Sequence, residues 1–477
     1  MKKLFRIFLF LFVIQIFGQK KPNIIVIFTD DHGYADIGTN GYAKDVKTPN
    51  IDLLAKNGVR FTSGYITAPQ CIPSRAGILT GRYQQRFGLD QNGTIPLPLS
   101  EILIPQRLKK AGYTTGMAGK WHLDPNQGAL DWLKENMPNT DLTGGKIIKI
   151  PARLKEPYSS DNRGFDYVFE GYINTYRSNY NLSDGQKTKV KMVKEEGYRL
   201  EIQTQAAVTF IKQNKENPFF FYLSYFAPHV PLEATKKYLD RFPEEMPERR
   251  RHALAMLAAI DDGVGNIKQT LKDLNIEENT LIFFISDNGA PLKIYKEDKP
   301  ISFKGGAWDG SLNTPFVGEK GMLSEGGIRV PFIMNWPAVL PKGKVYDKQV
   351  ISLDVAATTI SIAGLPKSKK LDGVDLIPFL IDDKKGEPHK NLFWRFWSQS
   401  AIREGNYKYL KFGEREFLFD VTTEKHENVN LIKKHPDLAK QMKSRLIKWS
   451  NTLQNKGIDL ETRGSEKEWY SHYFPIE

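Results

Sequence analysis

Cysteine is nearly missing from this chain: Cys71 is the only one in 477 residues. A single thiol cannot close an internal disulfide, so the fold must rest on its core. After residue 18 no apolar stretch is long enough to span a bilayer. No internal repeat and no long low-complexity linker interrupts the sequence. Histidine is scarce, with 8 residues. No nucleic-acid-binding motif stands out, which argues against that class of partner despite the basic charge. What the chain does have is length for two or three domains and a hydrophobic fraction of 40%, enough for a large globular core.

The N-terminus reads as an export signal. Lys2, Lys3 and Arg6 precede an apolar stretch from Ile7 to Phe17, and Gly18 is a small residue suited to the cut. The stretch is short for a membrane anchor. No cysteine stands at the cut, so neither a lipoprotein anchor nor any stable membrane anchor is expected. Removing residues 1–18 takes away three basic and no acidic residues, so the net charge of +13 becomes +10. A basic exported protein favours anionic partners through long-range attraction. Net charge alone reports no more than solubility.

Runs of β-branched and aromatic residues alternate with helical periodicity. Pro22–Phe28 is a buried strand ending at Asp30-Asp31-His32-Gly33. Thr48–Gly58 is a capped helix, Val59–Ile66 strand-like, Glu101–Ala111 helical and Tyr113–Ala118 a strand. Residues 124–198, rich in Lys, Asn, Gly and Tyr, read as irregular insertions. Glu201–Asn214 is helical, Phe219–Tyr225 a strand, Arg249–Leu274 a long helix and Leu281–Ile285 a strand ending at Ser286-Asp287-Asn288-Gly289. Strands alternating with helices imply parallel βαβ construction. After about residue 385, Phe393–Phe396, Tyr407–Phe412 and Glu416–Asp420 are short strands, followed by a basic helix over Pro436–Leu453. They imply a smaller antiparallel sheet with a helix on it. The expected organisation is an export signal at 1–18, a catalytic domain at 19–385 and a C-terminal subdomain at 386–477.

Cys71 heads the run Cys71-Ile72-Pro73-Ser74-Arg75, followed by helix-like sequence to Gly81. A thiol there, beside an arginine, suggests a nucleophile at a positive helix N-terminus. A free cysteine is also often just a small buried apolar residue. Asp30, Asp31, Asp287 and Asn288 close two strands far apart in sequence, and all four offer oxygen. Hard oxygen ligands suit Ca2+ or Mg2+ rather than zinc. Each pair alone is weak, because Asp-Asn-Gly is an ordinary turn and adjacent aspartates often cap helices. Lys120 and His122 stand two apart after a strand, so on an extended segment they point the same way. His229 lies between Pro228 and Pro231, which restrict its loop.

Together these runs resemble the type I, formylglycine-dependent sulfatases. The resemblance rests on Cys-x-Pro-Ser-Arg-x-x-x-Leu-Thr-Gly at Cys71–Gly81, on Gly119-Lys120-Trp121-His122-Leu123, and on Lys320-Gly321-Met322-Leu323-Ser324-Glu325-Gly326-Gly327. It implies an alkaline-phosphatase-like α/β sandwich: a large mixed, mainly parallel sheet flanked by helices, plus a small C-terminal antiparallel sheet. It also implies hydrolysis of sulfate esters. A maturation enzyme would convert Cys71 to formylglycine (3-oxoalanine), whose hydrate can form a sulfated hemiacetal and then expel sulfate by elimination. The metal ligands of one Ca2+ would be Asp30, Asp31, Cys71 as formylglycine, Asp287 and Asn288. Arg75 would brace the modified residue. Lys120 and Lys320 would bind sulfate, His122 would take the proton that drives elimination, and His229 would bind the ester and protonate the departing sugar oxygen. Glu325 and Arg329 would support the loop. The residues before Lys320, Phe316-Val317-Gly318-Glu319, depart from the Leu-Arg-Gly-Gly usual in the family. His252, His389, His426, His435 and His472 are given no role.

The N-terminal signal and the Leu79–Gly88 continuation resemble polysaccharide sulfatases of marine Bacteroidetes, which implies a sulfated algal polysaccharide or its oligosaccharides, ulvan first and carrageenan second. The location implied is the periplasm, or the cell surface or medium after secretion. The insertion from Lys293 to Asn313 carries Lys304, Trp308 and Asp309, and Arg177 stands in the earlier irregular stretch. This insertion, with Lys304, Trp308 and Asp309, is a candidate for part of the sugar-binding rim and Arg177 for another part, though a tryptophan in a loop is about as often structural. Two rival readings are a phosphoester or phosphonate hydrolase of the same superfamily and a non-catalytic sulfated-glycan-binding protein.

Overall fold

A computed structural model describes residues 21–142, 147–303 and 306–475. The export signal expected at residues 1–18 and the rim candidate Lys304 lie outside them. A ten-stranded sheet runs in the order Lys344–Tyr346, Val59–Phe61, Phe332–Asn335, Thr280–Ser286, Asn23–Asp30, Phe219–Pro228, Thr114–Gly119, Tyr167–Gly171, Thr175–Tyr180 and Lys187–Lys194. The five strands from Thr280–Ser286 to Tyr167–Gly171 are mutually parallel. The sheet is therefore mixed and mainly parallel at its centre, with antiparallel pairs beyond it.

The central strand shows why its sequence reads as an unbroken apolar run. Ile24, Val26 and Phe28 enter one core layer, and Ile25 and Ile27 enter the other. Side chains alternate across the pleat, and both faces are covered. Burial of each such side chain is worth about 1.5–3 kcal/mol. Helices Pro49–Lys56, Arg199–Asn214 and Glu248–Asp273 cover one face. Cys71–Thr80, Ile104–Lys109 and Leu353–Ile362 cover the other.

Four antiparallel strands, Asn391–Phe396, Gln399–Glu404, Tyr407–Phe412 and Arg415–Asp420, form the C-terminal sheet, with helix Pro436–Ser450 packed on it. This sheet shares the core of the large layer: Trp394 is fully buried and its indole N–H donates to the Ile66 carbonyl at 2.7 Å. Among the described residues, no helix is long and apolar enough to cross a membrane.

Residues 124–198 differ from their reading as irregular insertions. They hold the three strands Tyr167–Gly171, Thr175–Tyr180 and Lys187–Lys194, which extend the large sheet. The last, Lys-Thr-Lys-Val-Lys-Met-Val-Lys, is mostly exposed. An edge strand needs no apolar face on both sides, and lysines discourage pairing with another chain. That composition hides a strand from any search for apolar runs.

Candidate active site

Functional side chains gather at the carboxyl ends of the parallel strands, where ligands bind in open α/β sheets. Register brings them together. Asp30 pairs with Pro228, Thr29 with Ser286, and Gly119 with Ser224. Hence Asp30-Asp31, Lys120, His229 and Asp287-Asn288 emerge side by side from four neighbouring strands. Gly119 turns the chain out of its strand at φ 94°, and a Cβ there would run into the Ser224 carbonyl. Only glycine suits both demands.

Cys71 opens the helix Cys71–Thr80, all ten of whose residues are buried. Its Sγ lies 3.6 Å from Asp30 Oδ1 and 3.4 Å from Lys320 Nζ. One ligand atom each from Asp30, Asp31, Cys71 and His229 lies within 4.8 Å of all the others. Burial pushes the thiol up to about 12, against the pull of Lys120 and Lys320. The unmodified thiol is therefore not a ready nucleophile, and the helix N-terminus does not make it one.

Fixed cations surround the carboxylates. Lys120 Nζ lies 2.6 Å from Asp30 Oδ2. Lys320 Nζ lies 2.7 and 2.9 Å from the two Asp31 oxygens. Arg75 is fully buried; its Nη2 meets Asp287 Oδ2 at 2.8 Å and Asp30 Oδ2 at 3.6 Å, and its Nη1 donates to Ser224 Oγ. Asp31, at φ 62°, donates its backbone N–H to Asp287 Oδ1 at 3.0 Å and accepts from Asn288 Nδ2 at 2.5 Å. Burial alone would raise Asp30, yet Lys120, His229 and Arg75 hold it well below the usual carboxylate range. Asp287 goes the other way, raised to about 7 by burial and by Asp30.

The residues fit a hard cation. Three carboxylates converge, and Asn288 Oδ1 is buried with no hydrogen-bond partner. An amide oxygen left unpaired beside carboxylates suits an oxygen-seeking ion.

The extended segment expected at Lys120–His122 is interrupted, because His122 adopts φ 61°. His122 nonetheless shares the site's field. Burial, then Lys120 and Arg75, lower it to about 2, so it is neutral at ordinary pH. Its Nδ1 is buried without a partner. His229 Nε2 lies 3.7 Å from Asp31 Oδ2, and its Nδ1 lies 2.6 Å from the Val230 carbonyl. A carbonyl only accepts, so Nδ1 carries a proton.

A cavity of about 590 Å³ opens over this cluster, lined by Asp31, His229, Lys320 and Asp309 among others. Two of the rim candidates, Trp308 and Arg177, sit differently from expectation. Trp308 is 7% exposed, packs with Ala290, Leu292 and Leu312, and donates its indole N–H to the Ser311 carbonyl at 2.8 Å. It is a packed structural ring rather than a stacking platform, because a sugar-binding indole needs an open face. Arg177 is tied to Asp161 at 2.5 Å and does not line this cavity.

Sequence reasoning missed several supporting residues. Ser224 braces Arg75. Glu319, part of the unusual run before Lys320, accepts the backbone N–H groups of Lys293 and Ile294 at 2.7 and 2.8 Å. A buried glutamate in place of glycine was the available signal. Asp309, by contrast, belongs to the insertion expected at the sugar rim; it is 4% exposed and raised to about 8 by burial and by Asp31.

Comparison with known proteins agrees with this geometry. Residues 22–365 match the family model described as Sulfatase, and residues 317–452 match that of the C-terminal region of N-sulphoglucosamine sulphohydrolase. The chain is 33% identical over 407 residues to the uncharacterized sulfatase YdeN of Escherichia coli K12, covering 78% of this chain and 68% of that protein. It is 32% identical over 416 residues to mouse N-acetylgalactosamine-6-sulfatase, covering 82% and 72%. Among solved structures, Ps i-CgsB in complex with k-i-k-neocarrahexaose is similar with a TM-score of 0.73 and 31% identity, over 96% of this chain and 98% of that one. The chain belongs to the sulfatase family and is a sulfuric ester hydrolase.

Proposed function

We propose that this protein is an exported, periplasmic sulfatase that removes sulfate from a sulfated algal polysaccharide or its oligosaccharides. The observation that carries the reading is the position of Cys71, at the head of a buried helix and within reach of Asp30, Asp31 and Lys320. Conversion of Cys71 to formylglycine by a maturation enzyme would supply, as the hydrated aldehyde, one hydroxyl to take the sulfate and a second to release it. Asp30, Asp31, Asp287 and Asn288, with residue 71, would hold one Ca2+, which supplies polarisation of the sulfate oxygens.

The chain's own residues do the rest. Lys120 and Lys320 place positive charge where sulfate oxygens sit, as the transferring group requires. Arg75, fully buried between Asp287 and Asp30, keeps those carboxylates in position. His122 would accept the proton whose loss drives release. His229, with Nδ1 held by the Val230 carbonyl, presents Nε2 to the departing sugar oxygen and, when both ring nitrogens carry protons, donates the Nε2 proton there and becomes neutral. Residues 19–385 would form the catalytic domain and 386–477 a subdomain that closes its core. Likeness to a protein crystallised with neocarrahexaose favours a carrageenan over ulvan as the glycan.

The test is a panel of defined sulfated oligosaccharides from carrageenan, ulvan and glycosaminoglycans, with released sulfate measured for each. Turnover of an algal member is the expected result. Preferred turnover of an aryl phosphate over an aryl sulfate would instead favour the phosphoester hydrolase.

A further inference from the structure

Among the described residues, the insertion that forms one wall of the cavity is tied to the body through its backbone carbonyls and N–H groups. Arg249 donates to the carbonyls of Lys299, Trp308, Pro300 and Phe303 at 2.7, 3.1, 3.2 and 3.5 Å. Arg250 donates to the Gly310 carbonyl at 2.9 Å and to both Asp36 oxygens at 2.9 Å. Asp36 in turn accepts from Ser311 Oγ at 2.6 Å and from the Leu312 N–H at 2.9 Å. Asn313 and Glu319 secure the two ends through Ala290, Lys293 and Ile294.

One group in this wall stands apart. Asp309 is 4% exposed and lines the cavity that Asp31, His229 and Lys320 also line. Among the described residues its carboxyl accepts no hydrogen bond, and no cation lies within ion-pair distance of it. A buried carboxyl left without a partner is costly. Arg249, which lines the same cavity, spends its donors on carbonyls and offers it none.

We propose that Asp309 is a specificity-determining residue whose carboxyl hydrogen-bonds a free hydroxyl of the sugar that carries the reacting sulfate. This rests on the sulfatase reading above and deepens it. Lys320 on the cavity's inner side attracts the sulfate group. Asp309 brings a hydrogen-bonding group and no positive charge to this wall, so it suits a free hydroxyl there rather than a second sulfate. Aryl sulfates, which bring no such hydroxyl, gain nothing from Asp309.

The test compares mature wild-type enzyme with Asp309→Asn and Asp309→Ala. For each, kcat/KM is measured on the best oligosaccharide of the panel and on 4-nitrophenyl sulfate, and thermal unfolding is followed alongside. The ratio of oligosaccharide to aryl sulfate kcat/KM is expected to fall about 10-fold in both variants, the scale of one hydrogen bond. An unchanged ratio overturns the proposal, whether both activities fall together or neither falls. Wild-type enzyme that cleaves the aryl sulfate and no oligosaccharide also overturns it. Wild-type enzyme that cleaves neither instead removes the sulfatase reading beneath it. Should Asp309→Ala fail to fold, Asp309→Asn, which keeps the size of the side chain, decides the matter alone.

Discussion

Two clusters of buried charge lie a few residues apart in the chain, joined by the loop from Lys320 to Glu325. The first gathers Asp30, Asp31 and Asp287 with Arg75, Lys120 and Lys320. The second gathers Glu325 and Glu427 with Lys408, Arg329 and Arg403. In the second, Lys408 Nζ lies 2.9 Å from Glu325 and 3.0 Å from Glu427, and Glu325 also meets Arg329 at 3.0 Å and the Tyr65 hydroxyl at 2.7 Å. It joins the C-terminal sheet to the main body. The first cluster is equally buried yet less complete: Asn288 Oδ1 and His122 Nδ1 lack partners, and a cavity opens onto Asp31 and Lys320. Buried charge by itself does not mark an active site, since a structural network shifts titration as strongly. Unpartnered polar atoms beside an opening do.

The comparison predicts opposite failures. Replacing Cys71 by alanine is expected to abolish sulfate release, by roughly 10⁴-fold or more, while the unfolding temperature changes little. Lys120→Ala and Lys320→Ala should each lower kcat/KM by about 10²–10³-fold, checked by steady-state kinetics on an aryl sulfate. Lys408→Met should do the reverse. It leaves the buried Glu427 without its cation and takes one of two cations from Glu325, and costs about 3–5 kcal/mol of stability in denaturant unfolding, with activity per folded molecule retained. If Lys408→Met removed activity from molecules that remain folded, the division between the clusters would fail.

Acidity sharpens the same contrast. Burial alone would raise Glu325, but Lys408 and Arg329 hold it down to about 2, below its ordinary 4.5. Its contribution to wild-type stability is therefore present above about pH 4.5 and is lost as pH falls toward 2. Glu427 behaves the opposite way: burial, against the pull of Lys408, already raises it to about 7, and removing Lys408 raises it further. For Glu427 stability is therefore lost as pH rises toward neutrality. Lys408→Met should recover part of its lost stability as pH falls from about 7 to 5, measured by urea unfolding at each pH.

The smallest effect concerns Trp308→Phe. It should cost about 1 kcal/mol, from one hydrogen bond to the Ser311 carbonyl, and should leave kcat/KM on oligosaccharides nearly unchanged. A large loss of oligosaccharide turnover would return Trp308 to the sugar rim.

What the sequence revealed follows this division. Asp30-Asp31, Asp287-Asn288 and Lys120 were legible because each is a short motif at the end of an apolar strand, and the parallel sheet aligns those ends. The braces were not. Ser224, Arg249, Arg250 and Glu319 act through contacts between distant segments, and their residue types are common on any surface. Trp308 was misplaced because a loop tryptophan has the same signature whether its ring faces sugar or core. The strand Lys187–Lys194 was missed because an exposed edge carries no apolar pattern.

Thermal unfolding shows, without reference to turnover, whether the first cluster is built to hold a divalent cation. Adding Ca2+ to chelator-treated protein should raise the midpoint of the wild type, by an amount equivalent to about 2.7 kcal/mol at 100 times the dissociation constant. The rise should be much smaller in Asn288→Ala. A wild-type midpoint that ignores Ca2+, or an equal rise in the variant, would contradict the claim.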